Sequence, residues 1–270
     1  RRSFSIRKPF DKIRNAFVMS NFEEELRRLE PTLRRWLAIA MLGKRIEVRG
    51  EENFVREGPN IIIGNHCGAF KDVGTLYRIR PRMVYFTANK NIFNRGDFDR
   101  LIRKHLRRHL KEFGVMVNST LRPIKYLFIR FISSNIARVG TIPVDLESSK
   151  REAMKLCVDY LLKGRAIVTL QGRGRVVPGA PHPYVTPFRR GASILAYILY
   201  DEHGISVPIT PLAMFGTQKP WGIPTRIRVR VGEPMSIQPY MSSDFDRSVG
   251  EFKDALESRV KSLFYELIKA

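Results

Sequence analysis

The chain has 270 residues, of which 48 are Lys or Arg and 26 are Asp or Glu, which gives a formal net charge of +22. Its 43% hydrophobic and 10% aromatic content supplies enough apolar material for a buried core and excludes a disordered polycation. Two cysteines are too few for a disulfide scaffold or a cysteine-built zinc site, and the charge calls for an anionic partner: nucleic acid, an anionic membrane surface, an acidic carrier protein or a phosphorylated substrate.

Residues 1–43 form a basic N-terminal segment that we predict to be helical from Phe22 to Leu42, with a break at Pro31. Its first part interleaves aromatic and branched residues with cations, which is typical of a segment lying on an anionic bilayer, although a frayed basic tail has the same composition. No apolar run approaches the roughly 20 residues of a membrane-spanning helix. We therefore expect a membrane-docking segment at 1–43, no transmembrane helix, and an α/β domain at 44–270.

Short apolar or alternating runs along residues 44–270 predict strands, and helical patterns lie between them. The predicted strands are Arg45–Arg49, Ile61–Ile63, Met83–Phe86, Ala166–Leu170, Ser206–Thr210 and Arg226–Val231. The clearest predicted helices are Lys150–Lys163, Gly191–Tyr200 and Phe245–Ala270. Strands that alternate with helices favour an α/β fold with a mostly parallel central sheet flanked by helices.

A basic amphipathic helix is predicted at Arg100–Lys111, which contains six Lys or Arg residues and no acidic residue. Such a helix is most often a solvated charged face over an apolar stripe. The alternative function is an electrostatic dock for lipid headgroups or an acidic protein.

A candidate catalytic pair follows the apolar run Ile61–Ile63. The run continues through Gly64 and Asn65 into His66, and Asp72 lies a few residues further on. Ligands gather where the strands of an open α/β sheet end. An Asp that accepts from one imidazole nitrogen fixes the tautomer, so that the other nitrogen can take a proton. The pair alone is a weak signal, since a turn histidine bonded to backbone has the same pattern.

Two other chemistries are disfavoured by the residues around this pair. Cys67 adjoins His66, but neighbours on an extended segment point to opposite sides, which disfavours a thiol nucleophile. The five histidines show no clustered spacing with other ligands, so we expect no metal.

Three further blocks occur in register after His66. They are Gly140–Asp145, then Gln171–Arg175 after the Ala166–Leu170 strand together with Pro187–Ala192, and finally Val207–Pro211. With the flanking segments Arg45–Asn53 and Arg228–Pro234, this order resembles the glycerol-3-phosphate/lysophospholipid acyltransferase family. The resemblance spans about Lys44 to Ile237, most of the chain.

The resemblance implies an acyltransferase-like α/β domain that takes part in phospholipid biosynthesis at the cytoplasmic face of a membrane, as a peripheral protein. A fatty acyl group would pass from acyl-CoA or an acyl carrier protein to a hydroxyl of a lysophospholipid or glycerol-phosphate-like acceptor, without a cofactor. The implied catalytic residues are His66, as general base, and Asp72, as its orienter. The implied substrate-binding residues are Asn65, Gln171, Gly172, Arg173, Arg175, Arg189 and Arg190.

The sequence departs from the family pattern at four places. His66 and Asp72 are separated by five residues rather than four, and Leu146 stands where the second block usually closes with Arg. Gln171 replaces a Glu, and Gly174 replaces an Arg.

These departures motivate an alternative function: a catalytically degraded relative that binds anionic lipid or an acyl carrier without turnover. Nucleic acid is not an expected partner, because the cations accompany no recognisable binding module.

Overall fold

The computed structural model describes residues 22–110, 122–144, 150–172, 174–219 and 223–269. Residues 1–21 of the predicted docking segment, Lys111, Leu146 and Arg173 therefore lie outside the described residues. The chain divides into a smaller unit, Arg1–Leu33 with Ala88–Lys150, and a larger unit, Arg34–Thr87 with Arg151–Ala270. The boundary predicted at residue 43 stays a prediction.

Helices and strands alternate along the described ranges. The helices are α1 (Phe22–Ala40), α2 (Phe70–Ile79), α3 (Arg95–Leu110), α4 (Arg122–Asn135), α5 (Lys150–Leu162), α6 (Gly191–His203) and α7 (Phe245–Lys269). The strands are β1 (Lys44–Arg49), β2 (Asn60–His66), β3 (Val84–Asn89), β4 (Ile142–Val144), β5 (Ala166–Gly172), β6 (Ile209–Phe215) and β7 (Thr225–Val231).

The sheet of the larger unit has the strand order β1-β7-β6-β2-β5-β3. β1 pairs with β7, β2 with both β5 and β6, and β3 with β5, all in parallel, whereas β6 and β7 are antiparallel. The predicted fold class is confirmed: a mostly parallel central sheet is flanked by helices, and an N-terminal helix precedes it.

Strand β2 lies in the interior of this sheet, because it has a parallel neighbour on each side. Its residues from Asn60 to Asn65 are all buried. Ile62 belongs to a core cluster that includes Val168 of β5 and Leu212 of β6. Burying each such side chain contributes about 1.5–3 kcal/mol to the stability of the folded state. β2 is therefore a rigid support for His66, the residue at its carboxyl end.

Two sequence predictions differ from the structure in their bounds. β6 begins at Ile209 and runs to Phe215, whereas the sequence predicted a strand at Ser206–Thr210. In the sequence, Pro211 hides the continuation of this strand. In the structure the strand continues through Pro211, whose carbonyl accepts a hydrogen bond from Gly232 N. α1 also runs unbroken through Pro31, where a break was expected; proline removes one helix hydrogen bond, and here the helix tolerates that loss.

The smaller unit pairs the two basic helices α3 and α4. Asp99 of α3 forms an ion pair with Lys125 of α4 at 2.8 Å, and the rings of Phe98 and Phe128 lie 6.0 Å apart. The predicted helix at Arg100–Lys111 is present as α3 up to Leu110. Across the described ranges, no helix is both long enough and apolar enough to cross a membrane.

Candidate active site

The His66–Asp72 pair forms at the carboxyl end of β2. His66 Nδ1 lies 2.7 Å from Asp72 Oδ2, with the Asp72 side chain 0% exposed and the His66 side chain 24% exposed. An ionised carboxylate only accepts hydrogen bonds, so Nδ1 carries the proton and Nε2 keeps a lone pair. The backbone N–H of Gly68 donates to the same Oδ2 at 2.7 Å. This is the geometry of a base and its orienter.

The additional residue between His66 and Asp72 is absorbed in the loop before α2. This helix begins at Phe70, which puts Asp72 in its first turn. The loop closes through Ala69, whose φ of 53° is positive although it is not glycine. Gly68 allows a close approach in this loop, since a Cβ there would lie 2.3 Å from Thr217 Cβ.

Two glycines bring the loop after β5 against the imidazole. A Cβ on Gly172, at φ 136°, would lie 2.7 Å from the His66 carbonyl oxygen. A Cβ on Gly174, at φ 67°, would lie 3.3 Å from His66 Nε2. The nitrogen that would take a proton therefore faces this loop, and a side chain at residue 174 would enter the space beside it. Arg175 follows and is partly exposed.

Gln171 is buried and holds the turn that carries the predicted arginines. Its Oε1 accepts from the backbone N–H of Arg189 at 3.0 Å, and its Nε2 donates to Thr169 Oγ1 at 3.1 Å. Both ends of the side chain thus have protein partners. Gln171 faces the backbone of the turn before α6.

A second buried side chain fixes the preceding residue of this turn. Phe188 N donates to Glu257 Oε2 at 2.8 Å, and Lys261 donates to Glu257 Oε1 at 2.7 Å. Burial disfavours the charged form of Glu257 and by itself would raise its pKa. The hydrogen bonds from Lys261 and Phe188, with the nearby charge of Lys253, outweigh this effect, so the pKa of Glu257 is lowered.

The two arginines of this turn have different surroundings. Arg190 donates to the Asp246 carboxylate at 2.7 Å and to the Asp246 carbonyl at 2.7 Å, so its charge is compensated. The Arg189 side chain is exposed and forms an ion pair with no carboxylate of the described residues. Both arginines are exposed, and they differ in that Arg190 has a carboxylate partner among the described residues and Arg189 has none.

Asn65, expected to contact substrate, is directed into the interior. It is 0% exposed, donates to the carbonyls of Met214 and Tyr184, and accepts from Met214 N at 2.8 Å. These bonds join the end of β2 to β6. Its polar atoms are engaged inside the protein, where they support the strand end that carries His66, and its predicted role in binding substrate stays a prediction.

Cys67 is unsuited to be a nucleophile. Burial, together with the nearby Asp72 charge, raises the pKa of its thiol to about 12. Its Sγ lies 3.7 Å from Thr217 Oγ1. A buried, protonated thiol is inert at neutral pH, which supports the sequence interpretation.

Sequence reasoning missed Thr217 and Glu257, both of which support this site. Thr217 packs on Gly68, and the Lys71 ammonium donates to the carbonyl of Lys219 in the same loop. The loop after β6 is thereby fixed to the start of α2. Local sequence carries no signal for either residue, since Glu257 bonds to a backbone amide 69 positions away.

In the described ranges, no group of three or more His, Cys, Asp or Glu side chains could hold a metal ion.

The comparisons with known proteins give similarity in structure and none in sequence. No family model matches the sequence, and no curated protein matches it. Among solved structures, the chain is similar to PlsC, the 1-acyl-sn-glycerophosphate (LPA) acyltransferase of Thermotoga maritima. The identity is 18% and the TM-score 0.49, over 94% of this chain and 88% of that chain.

Proposed function

We propose that this protein is an O-acyltransferase that moves a fatty acyl group from an acyl-CoA or acyl carrier protein thioester to a hydroxyl of a lysophospholipid or glycerol-phosphate-like acceptor. The observation that carries the proposal is the 2.7 Å contact between His66 Nδ1 and Asp72 Oδ2, made despite the additional residue between them. The order of the sequence blocks around this pair supports the same reaction class.

In the proposed reaction, His66 Nε2 accepts the proton of the acceptor hydroxyl while the hydroxyl oxygen attacks the thioester carbonyl carbon. The Asp72 carboxylate stabilises the imidazolium that forms. The C–S bond then breaks, and the imidazolium returns its proton to the leaving thiolate. The products are an ester and a free thiol, and the histidine ends in its starting tautomer.

Substrate recognition in this proposal depends on cations near the end of β5. Arg189 has an exposed guanidinium with no carboxylate partner in the described chain, and Arg175 lies beside Gly174. Guanidinium groups bind phosphate in a bidentate manner. Arg173, outside the described residues, stays a prediction from the sequence. We place the reaction at the cytoplasmic face of an anionic membrane, with the protein bound peripherally.

Incubation of the full chain with a labelled acyl thioester and a panel of lysophospholipids tests this function. His66→Ala should abolish acyl transfer with its melting temperature within a few degrees of the wild type. The matched control is His182→Ala, which removes a half-exposed histidine bonded to the Tyr265 hydroxyl. Full transfer by a well-folded His66→Ala protein would refute the proposal.

The alternative, binding without turnover, is separated by the same assay. A degraded relative would retain the labelled thioester or the lysolipid on the protein and form no ester product, even at high enzyme concentration. The intact His66–Asp72 contact and the lone pair left on Nε2 favour turnover, since binding alone requires neither.

A further inference from the structure

Helix α4 exposes an apolar face. Ile124 is 54% exposed, Tyr126 56% and Leu127 55%. Residues 123, 127, 130 and 134 follow one another along one side of an α-helix, and 124 and 126 flank that line. We call this side, which includes Arg130, the outer face of α4.

The opposite side of α4 already has its protein contacts. Lys125 pairs with Asp99, and Ile129 is buried. Ser133 donates to the carbonyl of Ile92 at 2.9 Å. The helix is therefore docked in the smaller unit by a mixed polar and apolar face, and its outward apolar residues are additional to that packing.

The smaller unit, to which the outer face belongs, carries an excess of positive charge. Residues 22–33, 88–110 and 122–144 together contain 13 Lys or Arg and 6 Asp or Glu. Asp97 pairs with Arg100, Asp99 with Lys125, and Glu25 with Arg138. Arg130 is exposed on the face itself and forms no ion pair with a carboxylate of the described residues, and Arg95 donates to Ser134 Oγ at the far end at 2.9 Å. An apolar strip bordered by such arginines is complementary to an anionic bilayer, which offers phosphates above hydrocarbon.

We propose that the outer face of α4 is a bilayer-docking surface, with Ile124 and Leu127 in the acyl boundary, Tyr126 at headgroup level, and Arg130 against lipid phosphates. Tyrosine is enriched at this interface, because its ring is apolar and its hydroxyl polar. A second copy of the chain is a poor occupant, since two such faces would bring arginines together. This inference rests on the proposed function, because it names the membrane surface at which the proposed reaction occurs.

Sedimentation of the full chain with vesicles of equal parts phosphatidylcholine and phosphatidylserine tests the surface. The triple variant Ile124→Ser, Tyr126→Ser, Leu127→Ser should lower vesicle partitioning roughly tenfold or more. The matched control, Leu162→Ser with Ile268→Ser, removes exposed apolar residues of the larger unit and should bind as the wild type does. Partitioning of the wild type should fall with added salt and on pure phosphatidylcholine vesicles.

A second variant makes the test independent of the loss of binding. In Tyr126→Trp, the added tryptophan fluorescence should shift to the blue with the mixed vesicles and be quenched by brominated lipids. Unchanged partitioning of the triple variant, or no spectral shift, overturns the proposal, as does a change of oligomeric state in the triple variant alone.

Transfer to an acceptor dispersed in detergent should be the same in the triple variant and the wild type. If transfer is absent from both while vesicle binding follows the prediction, the proposed function fails and the docking surface stands. If transfer occurs and binding does not depend on the triple substitution, the docking surface fails alone.

Discussion

Replacing Asp72 by Asn tests how the acid acts on His66. Asp72 Oδ2 accepts from both His66 Nδ1 and Gly68 N, whereas Oδ1 is buried and has no hydrogen-bond partner in the described chain. An asparagine can put its oxygen in the place of Oδ2 and keep both bonds. Its NH₂ group then occupies the place of Oδ1 as a buried, unpaired donor. The substitution therefore preserves the contacts and removes the negative charge.

The expected cost is larger for catalysis than for folding. The imidazolium formed during proton transfer loses an anion in direct contact, which is worth about 3–5 kcal/mol at an effective dielectric constant near 20. That corresponds to a fall in kcat of roughly 10²–10⁴-fold. The unpaired NH₂ costs about 1–3 kcal/mol of stability, partly offset because a buried charge is removed.

Steady-state kinetics with a labelled acyl thioester measure the effect, and thermal unfolding shows that the variant is folded. We expect kcat to fall while KM for the acceptor changes little, because the Asp72 side chain is 0% exposed and therefore out of reach of an acceptor. Asp201→Asn, a change at an exposed carboxylate of α6, is the control. A folded Asp72→Asn protein with the wild-type kcat would show that Asp72 does not act on the imidazole.

Three further variants test the surroundings of the site. Gly174→Ala should reduce kcat/KM more than tenfold, because the added methyl group would lie 3.3 Å from His66 Nε2. The control is Gly179→Ala, at φ 83° with open space around its Cβ position. It carries the same backbone strain of about 1–2 kcal/mol and should keep full activity. Gln171→Ala should raise KM for a phosphorylated acceptor several-fold with a smaller change in kcat, because it releases the Arg189 backbone; an equal loss in both parameters would contradict this role. Glu257→Gln should lower the free energy of unfolding by about 1 kcal/mol at neutral pH, measured by urea titration. Because the folded-state pKa of Glu257 is lowered, this deficit should disappear as the pH falls below the usual glutamate range, and a deficit independent of pH would argue against the ion pairs.

The sequence predicted those parts of the fold that local patterns encode. A wholly apolar run such as Ile61–Ile63 is typical of a strand buried on both faces, and β2 has that position. The alternation of arginine and apolar residues in Arg226–Val231 is typical of a strand with one solvent-exposed face, and Ile227, Val229 and Val231 are buried between less buried arginines. In each case, the pattern of apolar and polar residues indicates directly which side chains are buried.

The contacts that shape the site were beyond sequence reasoning, because they join distant residues or depend on unusual backbone. Nothing in the sequence marks Ala69 as a residue with positive φ, yet this conformation accommodates the spacing of the His66–Asp72 pair. Similarly, Gln171 in place of the Glu of the family pattern indicates, from sequence alone, only the loss of a negative charge. Its hydrogen bond to the backbone of Arg189, 18 positions away, requires the folded turn.

The departures at residues 171 and 174 are coherent when their charges are considered together. A glutamate at 171 would put a negative charge beside the turn that carries Arg189, and an arginine at 174 would extend from a backbone that already approaches His66 Nε2. Gln171 keeps the hydrogen bond to that turn without compensating the Arg189 charge, and Gly174 keeps the space beside Nε2 unoccupied. Arg190 differs, because Asp246 already compensates it. Since the affinity of a cation for a phosphate falls when a carboxylate shares it, we expect Arg189 to be the better anchor of the two for the proposed anionic acceptor.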